Sequence, residues 1–148
     1  MSYDFQKALK HGAGELSLSL SKVALEALEI YFLELKKWSR KVNLIAKATS
    51  DSEIVEKHFL DSLTLLPFLE RSGAHLLDIG TGAGFPGLVC KAAMGERLRL
   101  TLVEPRLKRV SFLKHIVRTL GLDGVIIYSK RLEELPGIVT EDYSHITC

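Results

Sequence analysis

Leu25, Leu28, Phe32 and Leu35 recur at helical spacing, with Tyr31 and Trp38 widening the stripe. They predict an amphipathic helix behind the N-cap residue Ser21, with Lys36, Lys37, Arg40 and Lys41 suited to its carboxyl end. A second helix is predicted from Ser50, where Glu53 completes a capping-box pattern. It continues through Ile54, Val55, Phe59 and Leu60, and Pro67 ends or kinks the run that follows. After Ser72-Gly73 the pattern changes. His75 to Ile79 reads as a strand, Gly80 to Gly87 as a glycine-rich turn, and the next residues to about Met94 as a helix with Pro86 in its first turn. Leu98, Leu100 and Leu102 alternate as a strand ending at Glu104. Leu107, Val110, Leu113, Val117 and Leu120 form a helical stripe closed by Gly121. Val125 to Tyr128 is a third strand, Ser129 to Leu135 a short helix, and Ser144 to Cys148 a fourth strand.

Strands separated by helix-length segments argue for an α/β chain with a parallel, doubly wound sheet in residues 73–148, behind a helical segment in 1–72 that packs on it. With 148 residues, 47% hydrophobic and 26% charged, the chain has the size and mixture of one globular domain. Two cysteines cannot build a disulfide framework and, with no secretory signal in the opening residues, point to a reducing, cytoplasmic setting. Glu26, Glu29 and Glu34 interrupt the most apolar helix, so no membrane span is expected. The net charge of +2 is far from that of a small nucleic-acid-binding module, but it is unevenly spread. Residues 1–47 carry eight Lys/Arg against five Asp/Glu, residues 48–104 five against eight, and residues 105–148 seven against five.

The chemistry concentrates in Asp78-Ile79-Gly80-Thr81-Gly82-Ala83-Gly84-Phe85-Pro86-Gly87. Glycines after a parallel strand let a ligand approach the backbone at a helix N-terminus. Gly80, Gly82 and Gly84 give the G-x-G-x-G loop of S-adenosylmethionine-dependent methyltransferases, whereas Gly82, Gly84 and Gly87 give the dinucleotide pattern G-x-G-x-x-G. Asp78 favours the first register, since a carboxylate repels a pyrophosphate but can bind an amino-acid ammonium group. Glu104, ending the next strand, is placed to accept ribose hydroxyls in either class. Arg106, Lys108 and Arg109, and likewise Lys130 and Arg131, oppose the dipoles of the helices they open. An anionic partner would compensate, so Lys108, Arg109 and Arg131 are candidate RNA contacts, with a solvated basic face as the alternative. The five histidines and two cysteines show no metal-ligand spacing, and His58, beside Asp61, is the histidine to watch.

The glycine turn resembles the signature of the ribosomal RNA small-subunit methyltransferase G family, also called glucose-inhibited division protein B. Three further segments are similar to its motifs: Lys37-Trp38-Ser39-Arg40-Lys41-Val42-Asn43-Leu44 to K-W-N-x-x-x-N-L, Lys57-His58-Phe59-Leu60-Asp61-Ser62 to R-H-x-x-D-S, and Lys108-Arg109-Val110-Ser111-Phe112-Leu113 to K-R-x-x-F-L. Ser39 departs from the family's asparagine. The resemblance implies a Rossmann-like methyltransferase fold and methylation of guanine N7 in 16S rRNA of the small ribosomal subunit, with S-adenosylmethionine as cofactor. It carries cofactor contacts onto Gly80, Phe85, Leu132 and Glu133. No catalytic base is implied, since N7 already holds an in-plane lone pair.

In the family the pattern continues with I-S-R-A-F, whose arginine belongs to the cofactor site, and Ile146-Thr147-Cys148 reaches the position before it. The expectation is a sheet truncated at its carboxyl end and a chain that binds cofactor weakly, self-associates and transfers no methyl group. The competing readings are an NAD-binding oxidoreductase fragment and a non-catalytic cofactor- or RNA-binding module.

Overall fold

A computed structural model describes residues 2–148. Helix α1 (Phe5–Glu15) starts where the Asp4 carboxylate accepts from the Lys7 amide, and α2 (Lys22–Trp38) where Ser21 accepts from that of Ala24. Ser50 caps α3 (Asp51–Ile54) through the Glu53 amide at 3.2 Å. Only that half of the expected capping box forms, because the Glu53 carboxylate turns toward Lys57. The helix passes through a π turn, Val55–Leu60, into α4 (Asp61–Leu63), and a short α5 (Leu66–Leu69) takes Pro67 into its first turn.

The strands β1 (Ala74–Ile79), β2 (Leu98–Val103), β3 (Val125–Tyr128) and β4 (His145–Thr147) form one parallel sheet in the order β3-β2-β1-β4. Helix α6 (Gly87–Met94) connects β1 to β2, and α7 (Leu107–Leu120) connects β2 to β3. The order reverses at β1, whose neighbours β2 and β4 are reached in opposite directions. In such sheets a crevice opens at that point, at the strands' carboxyl ends.

Alternation decides which residues meet the helices. Leu76, Leu98, Leu100 and Leu102 share one core with Phe5, Leu28, Tyr31, Phe59 and Phe112. The helices of residues 5–69 therefore pack over α6 and α7 on one face of the sheet. The other face holds a small cluster of Leu77, Val103 and Ile138, and leaves Ile126 and Ile146 half-exposed. Ile127 belongs to the helix-covered face. Two predicted elements differ from the observed ones. Leu107 does not join the buried stripe of α7, which begins at Val110; it is 69% exposed at the mouth of a cleft. The predicted helix of residues 129–135 is only a 3₁₀ turn, Leu132–Glu134, closed by the Arg131 amide donating to the Glu134 carboxylate.

Candidate active site

Asp78 lies beneath the glycine turn. Its Oδ2 accepts from the Thr81 hydroxyl (2.8 Å) and the Gly87 amide (2.9 Å), and its Oδ1 from the Thr147 hydroxyl (3.0 Å). Three donors and near-complete burial make it the clasp of the turn, rather than the surface ligand for an ammonium group that the sequence suggested. Burial raises its pKa to about 6, against the opposing pull of those hydrogen bonds. The folded state thus binds this proton more tightly than the unfolded chain, so Asp78 makes stability fall as pH rises from about 4 to about 6. The effect is at most about 3 kcal/mol. Asp78→Asn is expected to flatten this part of the stability–pH curve in denaturant melts, and an unchanged slope would show that Asp78 titrates normally.

The glycines divide by what lies above them. Gly80 and Gly82 have φ of +70° and +60°, and a side chain at Gly80 would meet nothing within 4 Å. At Gly82 only the Arg109 guanidinium comes near, 3.8 Å away. These two present open backbone. Gly84 is filled from behind: a Cβ there would overlap the Tyr31 hydroxyl and approach the Leu88 Cβ to 2.9 Å. The Tyr31 hydroxyl donates to the Ala83 carbonyl at 2.6 Å. A contact between Gly84 and a cofactor, expected from the sequence, therefore gives way to packing. The same geometry removes the dinucleotide register. Its middle glycine faces Tyr31, and the Gly87 amide, which opens α6, is already held by the Asp78 carboxylate.

Glu104 follows β2 and is almost fully buried. Oε1 accepts from the Gly82 amide at 3.0 Å and Oε2 from the Arg106 amide at 2.8 Å, so one carboxylate ties the glycine turn to the start of α7. Arg109 reaches it at 3.9 Å and also donates from Nε to the Asn43 carbonyl at 3.2 Å. Arg109 is thus a bridge, unlike Lys108, which is exposed. Lys108 and Arg106 line a cleft of about 570 Å³ opposite Arg40, Lys41 and Lys47. Arg40 and Lys41 read in the sequence as helix-dipole partners. They lie beyond the end of α2, and only the tertiary fold brings them to α7. Arg131, Leu132 and Glu133 are exposed after β3, at the same edge of the sheet. Phe85 points away from Gly80 and into the helical layer, its ring between those of His58 (4.8 Å) and Tyr31 (6.1 Å). Among the described residues no three His, Cys, Asp or Glu side chains form a metal-binding group, and no helix is long and apolar enough to cross a membrane.

Residues 24–148 match the family described as rRNA small subunit methyltransferase G. The chain is 61% identical over 148 residues to the ribosomal RNA small subunit methyltransferase G of Desulfotalea psychrophila, covering 99% of this chain and 67% of that protein. The chain belongs to the rRNA small subunit methyltransferase G family. The same-named protein of Syntrophus aciditrophicus is 44% identical over 129 residues, 87% of this chain and 53% of its own length. The chain thus spans about half to two-thirds of the length of these relatives. Among solved structures, cofactor-bound Rv0187 from MTB superposes with a TM-score of 0.58 at 16% identity, covering 99% of this chain and 61% of that one. A protein-L-isoaspartate O-methyltransferase does so at 0.51 and 20%, covering 80% and 46%. At these identities the likeness is one of fold, and it is the Rossmann-like methyltransferase fold.

The four family motifs converge in space. Trp38 packs edge-on against Phe112 with ring centroids 5.6 Å apart, the Asn43 carbonyl holds Arg109, and His58 lies flat on Phe85. Each of three methyltransferase G motifs outside the glycine turn thus contacts either another motif or the turn itself.

Proposed function

We propose that the chain carries the S-adenosylmethionine site of an enzyme that methylates guanine N7 in 16S rRNA of the small ribosomal subunit. The observation that carries this reading is the open backbone at Gly80 and Gly82 beside Glu104, at the carboxyl ends of β1 and β2. The residues fit the cofactor. Backbone without side chains admits close approach, and each Glu104 oxygen keeps a second lone pair for a ribose hydroxyl beyond the amide it already holds. Leu132 and Glu133, after β3, flank the far end of that edge and would hold the cofactor from there. Asp78 and Gly84 serve the site by shaping the turn. When bound, S-adenosylmethionine supplies a methyl group on an electrophilic sulfonium sulfur. The chain's own work is to orient the reactants and exclude water, since the N7 lone pair needs no base to expose it.

Arg40, Lys41, Lys47, Arg106 and Lys108 give the cleft beside this site the charge to hold RNA phosphates, with Arg131 further along the same edge. Arg109 supports the cleft from Glu104 and Asn43. The setting is the cytoplasm, where the small subunit is the partner.

Calorimetry with S-adenosylhomocysteine and NAD tests the cofactor assignment, with binding of the first alone expected. Single-turnover methyl transfer to undermethylated small subunits tests the reaction, and its absence from a relative-length protein would remove it. Neutralising Arg40 or Lys108 is expected to reduce the salt slope of RNA binding by roughly 0.7–0.9 per charge without changing cofactor affinity. Arg109→Ala is expected to disturb both, because its guanidinium touches Glu104.

A further inference from the structure

A second cavity, of about 370 Å³, opens beside the glycine turn, between a helix wall (Lys57, His58, Asp61) and a strand wall (Thr147, Cys148), with Phe85 in its lining. It is not the open face at Gly80 and Gly82, but it adjoins that site through two residues. Phe85 belongs to the turn, and the Thr147 hydroxyl donates to Asp78.

The helix wall departs from regular geometry here. In the π turn the Asp61 amide reaches back to the Glu56 carbonyl, five residues earlier, and the Ser62 hydroxyl donates to the His58 carbonyl. Such turns are rare and are frequently found at functional sites. This one presents His58 flat against Phe85, 18° from parallel. Burial lowers the His58 pKa below its ordinary value, so the imidazole is neutral at neutral pH. Asp61 is exposed, and its carboxylate has no hydrogen-bond or ion-pair partner among the described residues. An aromatic platform with a free carboxylate at its edge matches the way enzymes hold an unstacked base, by stacking and by its Watson–Crick edge.

We infer that this cavity receives the base to be methylated, a guanine stacked on the outer face of His58, which Phe85 backs, with Asp61 accepting from its N1–H and N2–H. The inference rests on the methyl-transfer reading above and assigns the residues that select the base. A carboxylate offers two acceptors at the spacing of those two donors. Adenine places an unprotonated nitrogen at N1 and is repelled, and hypoxanthine lacks the second donor. N7 lies on the opposite edge of the purine. A guanine held at Asp61 therefore turns N7 away from the helix wall, toward the strand wall at Thr147 and Cys148. Lys57, exposed at the rim, suits the phosphate of the same nucleotide.

The test is a titration of the chain, saturated with S-adenosylhomocysteine, with the 5′-monophosphates of guanosine, inosine and adenosine, followed by NMR of the His58 imidazole. Guanosine monophosphate is expected to shift the His58 resonances and to bind about tenfold more tightly than the inosine nucleotide, the worth of one hydrogen bond to a charged acceptor. Asp61→Asn, at an exposed position, is expected to bring that ratio close to one. His58→Phe should keep the platform, and His58→Ala should weaken all three nucleotides alike. A guanosine preference that survives Asp61→Asn, or no response of His58 to guanosine monophosphate, would overturn the assignment. Failure to bind S-adenosylhomocysteine would instead strike the methyl-transfer reading itself, so the two failures are told apart.

Discussion

Gly84→Ala is expected to lower the melting temperature by roughly 10 °C and to abolish measurable binding of S-adenosylhomocysteine. Two costs coincide at this position. Its φ of +101° is one that residues with a side chain rarely adopt, and the new Cβ would overlap the Tyr31 hydroxyl and crowd Leu88. Backbone strain of about 1–3 kcal/mol and overpacking of about 1–3 kcal/mol sum to a large share of a domain's total stability. A chain of this size loses roughly 2–4 °C per kcal/mol. Tyr31 lies behind the turn, so relief of the clash would push the backbone toward the ligand face. Tyr31→Phe removes the overlapping hydroxyl and is expected to restore part of the loss, making the two substitutions less damaging together than their sum. The check is calorimetry and thermal melting of both single variants and the pair. Strict additivity would show that the clash is with Leu88 alone.

Glu104→Ala is expected to weaken S-adenosylhomocysteine binding by about tenfold or more and to cost about 3 kcal/mol of stability. The buried carboxylate accepts from two backbone amides, and hydrogen bonds to a charged group are worth roughly 1.5–3 kcal/mol each. Its removal leaves the Gly82 and Arg106 amides without their acceptor and frees Arg109. Glu104→Gln keeps one acceptor oxygen but sets an NH₂ group against the other amide, so it should recover less than half of the loss. Isothermal titration and urea melts separate the two effects. Intact affinity in a destabilised variant would confine Glu104 to holding the turn.

The strands and the glycine turn were legible because both depend on short-range rules: alternation of Leu98, Leu100 and Leu102, and clustering of glycines after a strand. Helix α1 was harder to read. Gly12 and Ala13 carry half of its buried face, and small residues give a weak apolar signal. The π turn left no mark either, since Ile54, Val55 and Phe59 satisfy an ordinary helical stripe. Within the site the residue types were readable but their orientation was not. Nothing near Gly84 reveals that Tyr31 fills the space behind it, and nothing near Arg109 reveals the Asn43 carbonyl. Lys41 and Lys108 became one cleft only through the packing of α2 on α7. Motif resemblance carries a cofactor contact onto Phe85, and nothing near it in the chain reveals that its ring faces the helices, where His58 and Tyr31 receive it.

Tyr31 and Ala83 stand 52 positions apart, yet they share one hydrogen bond behind the ligand loop. The loop is therefore not a portable cassette. Grafted into another methyltransferase scaffold without α2, Gly80 to Gly87 would lose the wall that sets its curvature, and a substitution at position 31 would be inherited by the loop as surely as one at position 84. A transplantable unit must start at α2 and run past α6 at least to Glu104, whose carboxylate holds the Gly82 amide, and a shorter excision would carry the signature without its shape.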